Sequence, residues 1–403
     1  MSLASKRFAA LRHPRFRIYL IGQGVGLIGA WCQRIALIWL IYRLTNSAFL
    51  LGIFAFAWEL PCLLFTAFAG AVADRVNRLR WLAAIQLISA VLSLGLLVIV
   101  SIDLTAFPFM VAIAFALGVC QSFELPLRQS FFYEIVDRAE DLPNAVALMA
   151  FMNNSGRMVG PLVASFLISI AGEGASFALG AIGYLVVLAS LLWIRTNSNI
   201  LPSHSNRLLI DLVQGVLYAW KTLSIKYSLL MLAIVSLICL PYVVIVPVFA
   251  IQVLHGDAVT VGILLSAAGA GAVCGLIWLS LQNGSIRFGR LLGLASCCAT
   301  SGMIALATST TIFASALSMT LVGLGIAVTA TGTNMFLQSI SEDGKRGRVM
   351  GLFNTAFVGF APLGCLIAGF ALEKFGCSTA LFILGFTGLV LSIYVGRRLV
   401  IVI

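Results

Sequence analysis

Two apolar runs, 48–72 and 81–100, lie on either side of a knot of charge, Gly70-Ala71-Val72-Ala73-Asp74-Arg75-Val76-Asn77-Arg78-Leu79-Arg80. Each run has about the 20 residues that a helix needs to cross a bilayer. An aspartate with three arginines cannot lie in hydrocarbon, so the knot is a tight hairpin between two membrane helices. The same alternation recurs along the chain. Apolar blocks bounded by charge or turn residues fall at roughly 17–44, 48–73, 80–102, 106–130, 142–171, 175–195, 227–254, 258–282, 288–308, 311–338, 346–373 and 377–396. At 61% hydrophobic and only 10% charged, the chain has too few charges to face water as a soluble domain. A β-barrel would show short alternating segments instead of long blocks. The expected fold class is an all-α polytopic membrane protein with twelve transmembrane helices.

The net charge of +11 does not mark a nucleic-acid binder, because 21 of the 25 Lys and Arg fall on one side of the proposed topology. Loops on that side carry Arg75, Arg78 and Arg80, then Arg128 and Arg138, then Arg287 and Arg290, then Lys345, Arg346 and Arg348. The opposite loops hold little beyond Asp103, Glu173, His255, Asp257, Glu373 and Lys374. This is the positive-inside bias, and it places both termini in the cytoplasm of a bacterial inner membrane. The first apolar run is too long for a signal peptide and contains Arg34, so it reads as an uncleaved span. The nine cysteines sit in or beside apolar blocks without metal-ligand spacing, as small core residues do.

Residues 196–226 form the one extended polar segment. Within it Leu208, Leu209, Leu212, Val213, Val216, Leu217 and Trp220 recur at helical spacing, which predicts an interfacial amphipathic helix. The segment divides the chain into an N-terminal six-helix bundle, 1–195, a cytoplasmic linker, 196–226, and a C-terminal six-helix bundle, 227–403. Laying Pro161 on Pro362 brings Leu148-Met149-Ala150-Phe151-Met152-Asn153 onto Val349-Met350-Gly351-Leu352-Phe353-Asn354. Two parallel six-helix repeats about an axis normal to the membrane is the arrangement of the major facilitator fold.

Particular motifs carry a resemblance to that family. Gly70-x-x-x-Asp74-Arg75-x-x-Arg78-x-Arg80 resembles the major facilitator signature loop, with Asn77 at the place of its usual glycine. Asparagine also tolerates a left-handed backbone. Gly156-x-x-x-Gly160-Pro161 resembles the antiporter motif of the fifth helix, although Ala164 and Ser165 replace its trailing glycines. Trp31-Cys32-Gln33-Arg34, Leu44-Thr45-Asn46-Ser47, Phe123-Glu124-Leu125-Pro126-Leu127-Arg128-Gln129 and Leu142-Pro143-Asn144-Ala145-Val146-Ala147-Leu148 are similar to the branch of enterobactin-type siderophore exporters and macrolide efflux proteins. The resemblance implies rocking-switch alternating access between two halves. It implies a conformational latch made of Gly70, Asp74, Arg75, Arg78, Glu124 and Arg128, with Arg78 paired to Glu124 and Asp74 reaching the start of the eleventh helix near Arg348. It also implies hinge roles for Gly156, Gly160, Pro161 and Pro362.

Ionisable residues inside spans are the default functional candidates, since each costs a few kcal/mol unless paired or hydrated. They are Arg34, Glu59, Glu124 and Arg157, all in the first half. Arg34 and Glu59 lie about equally deep in the first and second spans, to within ~3 Å at 1.5 Å rise per residue. They are expected to pair or to share a wet pocket, either as a fixed ion pair or as the proton-coupling site. Arg157 shares a helix face with Asn153 at i and i+4. With Asn154, Gln33, Tyr242, Asn334 and Asn354 it forms the candidate substrate-binding set. Its alternative role is to bond a carbonyl freed by a neighbouring Pro or Gly. A stripe of Gly22, Gly26 and Ala30 predicts close helix packing, and Pro241 and Pro247 predict a bent seventh span.

No Ser/His/Asp arrangement, metal cluster or phosphate-binding glycine loop is present in the sequence, so no enzyme, metal or cofactor is expected. The expected activity is proton-coupled export of a small amphipathic molecule, a siderophore or drug, by a monomer in the lipid bilayer. Lysophospholipid flipping, import of a metal chelate or another solute, and a non-transporting membrane sensor are the alternatives.

Overall fold

The computed structural model describes residues 9–73, 76–136, 138–194, 218, 220–282, 287–342 and 345–402. Most of the predicted amphipathic linker helix therefore lies outside the described residues. The described α-helices are α1 (Pro14–Thr45), α2 (Ala48–Ala73), α3 (Arg78–Ser101), α4 (Phe107–Ile135), α5 (Leu142–Trp193), α6 (Leu223–Ile238), α7 (Tyr242–Gln252), α8 (Ala258–Ser280), α9 (Phe288–Thr308), α10 (Ile312–Ile340), α11 (Arg346–Val358), α12 (Ala361–Phe375) and α13 (Cys377–Val402). Eleven segments are long and apolar enough to cross a membrane. One of these, α5, contains two spans, because Gly172 at φ 74° and ψ 179° turns the chain inside it. A side chain at Gly172 would meet nothing within 4 Å, so the backbone conformation alone demands glycine there. The predicted twelve spans are recovered, with α6 and α7 forming the seventh and α11 and α12 the eleventh.

Left-handed residues follow a pattern in this topology. Among the described residues, Asn46, Asp103, Gly172, His255 and Gly376 have positive φ. They close the first, third, fifth, seventh and eleventh spans. All odd-numbered spans end at the same membrane face, so that face is built from short turns that leave little room for charge.

Internal packing divides the chain into one unit of Met1–Leu40 with Leu60–His204 and another of Ile41–Glu59 with Ser205–Ile403. Helices α1 and α2 thus each contribute to both units. In the first unit, α1 lies along the second half of α5 through small residues. An ideal Cβ on Gly29 would stand 2.7 Å from the Leu179 carbonyl, and one on Gly183 would stand 3.2 Å from Gly26 Cα. α3 packs on α5 and α4. The cytoplasmic end of the proposed topology is filled by Phe16, Tyr19, Phe131, Phe132 and Leu191, with Tyr19 edge-on to Phe131 at 5.5 Å.

In the second unit α8 and α9 both pack on α10, and α9 packs on α13. The third span pairs with the sixth in the first unit and the ninth with the twelfth in the second, as an internal repeat requires. Side chains at Gly323 and Gly271 would overlap the Ala268 and Thr320 carbonyls, so α8 and α10 touch backbone to backbone. The expected bend of the seventh span is a break at Cys239-Leu240-Pro241. A matching break at Gly359-Phe360, ahead of Pro362, divides the eleventh span, which the sequence reading treats as continuous. These breaks are joined: the Ser236 hydroxyl donates to the Phe357 carbonyl at 2.6 Å. A carbonyl at a helix interruption is thereby satisfied inside the protein, as an apolar setting demands.

Candidate functional site

The half-buried indole of Trp31 on α1 is the centre of the candidate site. The Arg34 guanidinium lies 5.6 Å from the ring centroid, and that of Arg157, from α5, lies 5.7 Å from it. The helix α5 makes room for this ring with glycines. Gly156 would place a Cβ 3.5 Å from Trp31 Cδ1, and a Cβ on Gly160 would overlap Trp31 Cβ. The Gly160 carbonyl accepts a weak bond from the Cys32 thiol at 3.5 Å. The antiporter-motif glycines therefore seat Trp31 with two guanidiniums close to its ring. A cation–π contact is worth roughly 0.5–2 kcal/mol, whereas a guanidinium in the bilayer core costs about 2.5 kcal/mol or more. Two guanidiniums on one aromatic ring concentrate positive charge at this point of the first unit.

The other candidate residues separate by environment. Asn153 and Asn154 are half-buried on α5, with Asn154 Nδ2 donating to the Ala150 carbonyl at 2.8 Å. Gln33 is fully buried, and its Oε1 accepts from Ser93 Oγ at 2.9 Å, which also lies 2.9 Å from the Phe177 carbonyl. Its amide packs where Gly180 leaves space, and Nε2 has no partner. Turning the amide over would let Nε2 donate to Ser93 while Ser93 donates to Phe177, leaving an acceptor unmade instead of a donor. Gln33 thus joins α1, α3 and α5 in the core of the unit. In the second unit, Tyr242 is buried at the start of α7, the Gln338 amide donates to Asn334, and Asn354 is exposed on α11. Glu59 is half-buried on α2.

The signature loop is described in part, since Asp74 and Arg75 lie outside the described residues. Arg78 donates through Nη1 to Glu134 at 2.8 Å and through Nε to the Ala73 carbonyl at 3.1 Å. Its acidic partner is Glu134, not Glu124, which instead lies 3.7 Å from Arg128 one turn along α4. Both carboxylates belong to α4, and the first turn of α3 meets that helix near each of them, with Trp81 6.2 Å from Phe123 and Arg78 on Glu134. Asn77 departs from the left-handed expectation as well: its φ is −70°, and its side chain caps α3 by accepting from Arg80 N at 3.0 Å. Gly70 meets nothing within 4 Å where its side chain would stand, and Pro362 sits in the first turn of α12.

Several polar features lie outside the expectations from the sequence. His13 Nε2 pairs with Asp141 at 2.9 Å and Ala10 N donates to Asn144 at 3.1 Å, fastening the amino-terminal turn to the start of α5. Glu173, which the topology places in a loop, is 8% exposed. Glu373, also a loop charge, accepts from Ser47 and the first amides of α2. Outside the spans, Glu342 accepts from Lys345 at 2.8 Å and raises its ammonium above the ordinary lysine range.

The model of the transmembrane secretion effector family matches residues 5–401. The Staphyloferrin A transporter of Staphylococcus aureus (strain NCTC 8325 / PS 47) is 24% identical over 381 residues, 92% of this chain and 94% of its own length. Among solved structures, the nucleoside transporter NupG superposes with a TM-score of 0.75 at 14% identity, covering 95% of this chain and 98% of its own. A D-xylose-proton symporter superposes with a TM-score of 0.74 at 14% identity, covering 95% and 97%. These likenesses show a common transporter fold.

Proposed function

This chain belongs to the transmembrane secretion effector family and is a membrane transporter of the major facilitator type, and from that premise we propose that it exports a small anionic chelator of the siderophore class in exchange for protons. The approach of Arg34 and Arg157 to the one ring of Trp31 is the observation that carries the reading. Guanidinium is weakly hydrated and presents a planar fork of donors, so it suits carboxylate or catecholate oxygens where water is scarce. The named substrate of the Staphylococcus relative points to the same class.

In this reading Arg157 and Arg34 take the substrate's anionic oxygens, the Trp31 face covers its apolar part, and Asn153 and Asn154 add donors. Glu59 and Arg34 are the coupling residues. Ionisable groups inside spans mark proton and substrate pathways, which makes these two residues the candidates for coupling. Proton entry and anion exit then share one charge balance, and the two six-helix repeats alternate the access of the site.

Flux in proteoliposomes with an imposed pH gradient, using staphyloferrin A as the first probe, tests the proposal. The wild type should concentrate the probe against its gradient. Glu59→Gln should retain exchange but lose the response to pH, and undiminished coupling would remove Glu59 from the mechanism. Arg157→Ala should raise the half-saturating concentration about tenfold or more, as expected for a lost charged hydrogen bond of 1.5–3 kcal/mol. An intact protein that moves neither staphyloferrin A nor a catecholate chelator would overturn the substrate class.

A further inference from the structure

The turn between α1 and α2 is held by a residue more than 300 positions away. Glu373 Oε2 accepts from Ala48 N at 2.8 Å, Phe49 N at 3.3 Å and the Ser47 hydroxyl at 3.2 Å. Ser47 itself accepts from Leu50 N at 3.2 Å. The amides of the first turn of α2 have no partner within their own helix. Ser47 satisfies the third of them in the usual way for a cap residue, while Glu373 satisfies the first two from another helix. The charge balance depends on α2: a carboxylate gains from the positive end of α2, while on α12 it occupies the last turn, where the helix dipole opposes it. Glu373 is therefore better placed when α2 is present than when it is not.

The surrounding contacts are built to meet without interlocking. One turn below the cap, Gly52 and Gly369 bring α2 and α12 together, so that a Cβ on Gly369 would stand 2.8 Å from the Ala48 carbonyl and 2.9 Å from Gly52 Cα. Phe49 lies edge-on to Phe370 at 6.4 Å. Gln252, at the end of α7, donates to the Tyr42 hydroxyl at 3.1 Å. All of these residues fall within the second unit, although α1 and α2 continue into the first. Glu373 is exposed, so water can replace the amides when they leave.

We propose that Glu373 is a positioning residue for transport, a cap donated in trans that holds residues 41–59 against α12 and must release α2 once in each cycle. The inference rests on the alternating-access reading above, and it places a releasable contact at the membrane face opposite the signature loop.

Native Cys377 supplies the reporter, because it is buried at the start of α13, across a short turn from Glu373. Its alkylation by a hydrophilic maleimide, in full-length protein in nanodiscs, is followed by peptide mass spectrometry. Glu373→Ala should speed labelling of Cys377 about tenfold, the equivalent of a lost charge-assisted bond, with little change in Tm. Ala48→Pro removes the main donor while keeping a residue favoured at the first helical position, and should speed it to a similar degree. The double variant should label no faster than either single one, since both delete the same contact. Wild-type labelling in Glu373→Ala, or effects that multiply in the double variant, would overturn the proposal. Should Glu373→Ala fail to fold, Ala48→Pro alone decides, with an unchanged rate counting against it. The assay needs no substrate, so its outcome is separate from that of the export experiment.

Discussion

Trp31 stands where it does because α5 offers it glycines, which makes the candidate site sensitive to a single methyl group. In Gly160→Ala the new Cβ would overlap Trp31 Cβ and move the indole away from Arg34 and Arg157. The expected cost is about 1–3 kcal/mol of overpacking, with weaker anion binding. Gly95→Ala, where a side chain meets nothing within 4 Å, should be neutral or slightly stabilising. Thermal unfolding of the two variants in detergent provides the comparison. Asn77 shows what a residue type leaves open. Its short amide serves equally in a left-handed turn and at a helix cap, and only the placement of Arg80 N beside it selects the cap. Arg78 shows the same for pairing, since Glu124 and Glu134 lie on one helix, and Glu124 faces Arg128 while Glu134 faces Arg78.

At the scale of elements, spans and their ends were legible because apolar length and turn residues are local properties. The proline signals were read correctly at Pro241, where the seventh span breaks. The break ahead of Pro362 was read as a hinge inside a continuous helix, although proline in a first helical turn is also the mark of a helix start. The Gly22 and Gly26 stripe does pack closely, against Ser190, Val187 and Gly183, and Gly29 extends it onto Leu179 and Gly180. Contact between α8 and α10 is the tightest test of such packing. Gly323→Ala should destabilise the second unit by at least 1–3 kcal/mol, because the methyl meets the Ala268 carbonyl and not a movable side chain. Gly351→Ala on α11, with nothing within 4 Å, is the matched control. A lowered Tm confined to Gly323→Ala is the expected result.

For the whole molecule, the signature loop and the Glu373 cap belong to opposite membrane faces in the proposed topology. We propose, from the resemblance of this loop to the family signature, that Asp74 belongs to a latch remote from the substrate. Asp74→Asn should therefore slow turnover in the proteoliposome assay while leaving the half-saturating concentration nearly unchanged. A change in substrate preference would place Asp74 at the binding site instead of at a latch. The two mutations at the two faces should act in opposite senses on the resting conformation, which makes Asp74→Asn and Glu373→Ala informative together.

The sequence by itself determined the number of spans and the two repeats. These follow from transfer free energy and periodicity, which are summed over neighbours along the chain. Only the tertiary structure decided that Arg34 and Arg157 share Trp31, that Arg78 chooses Glu134, and that a glutamate in the last turn of α12 caps a helix far away in sequence. Each of these depends on which helix faces which, and that is set by small residues and by backbone groups needing partners. Hydropathy carries no record of either, because a glycine that admits an indole and one that faces open space contribute the same to it.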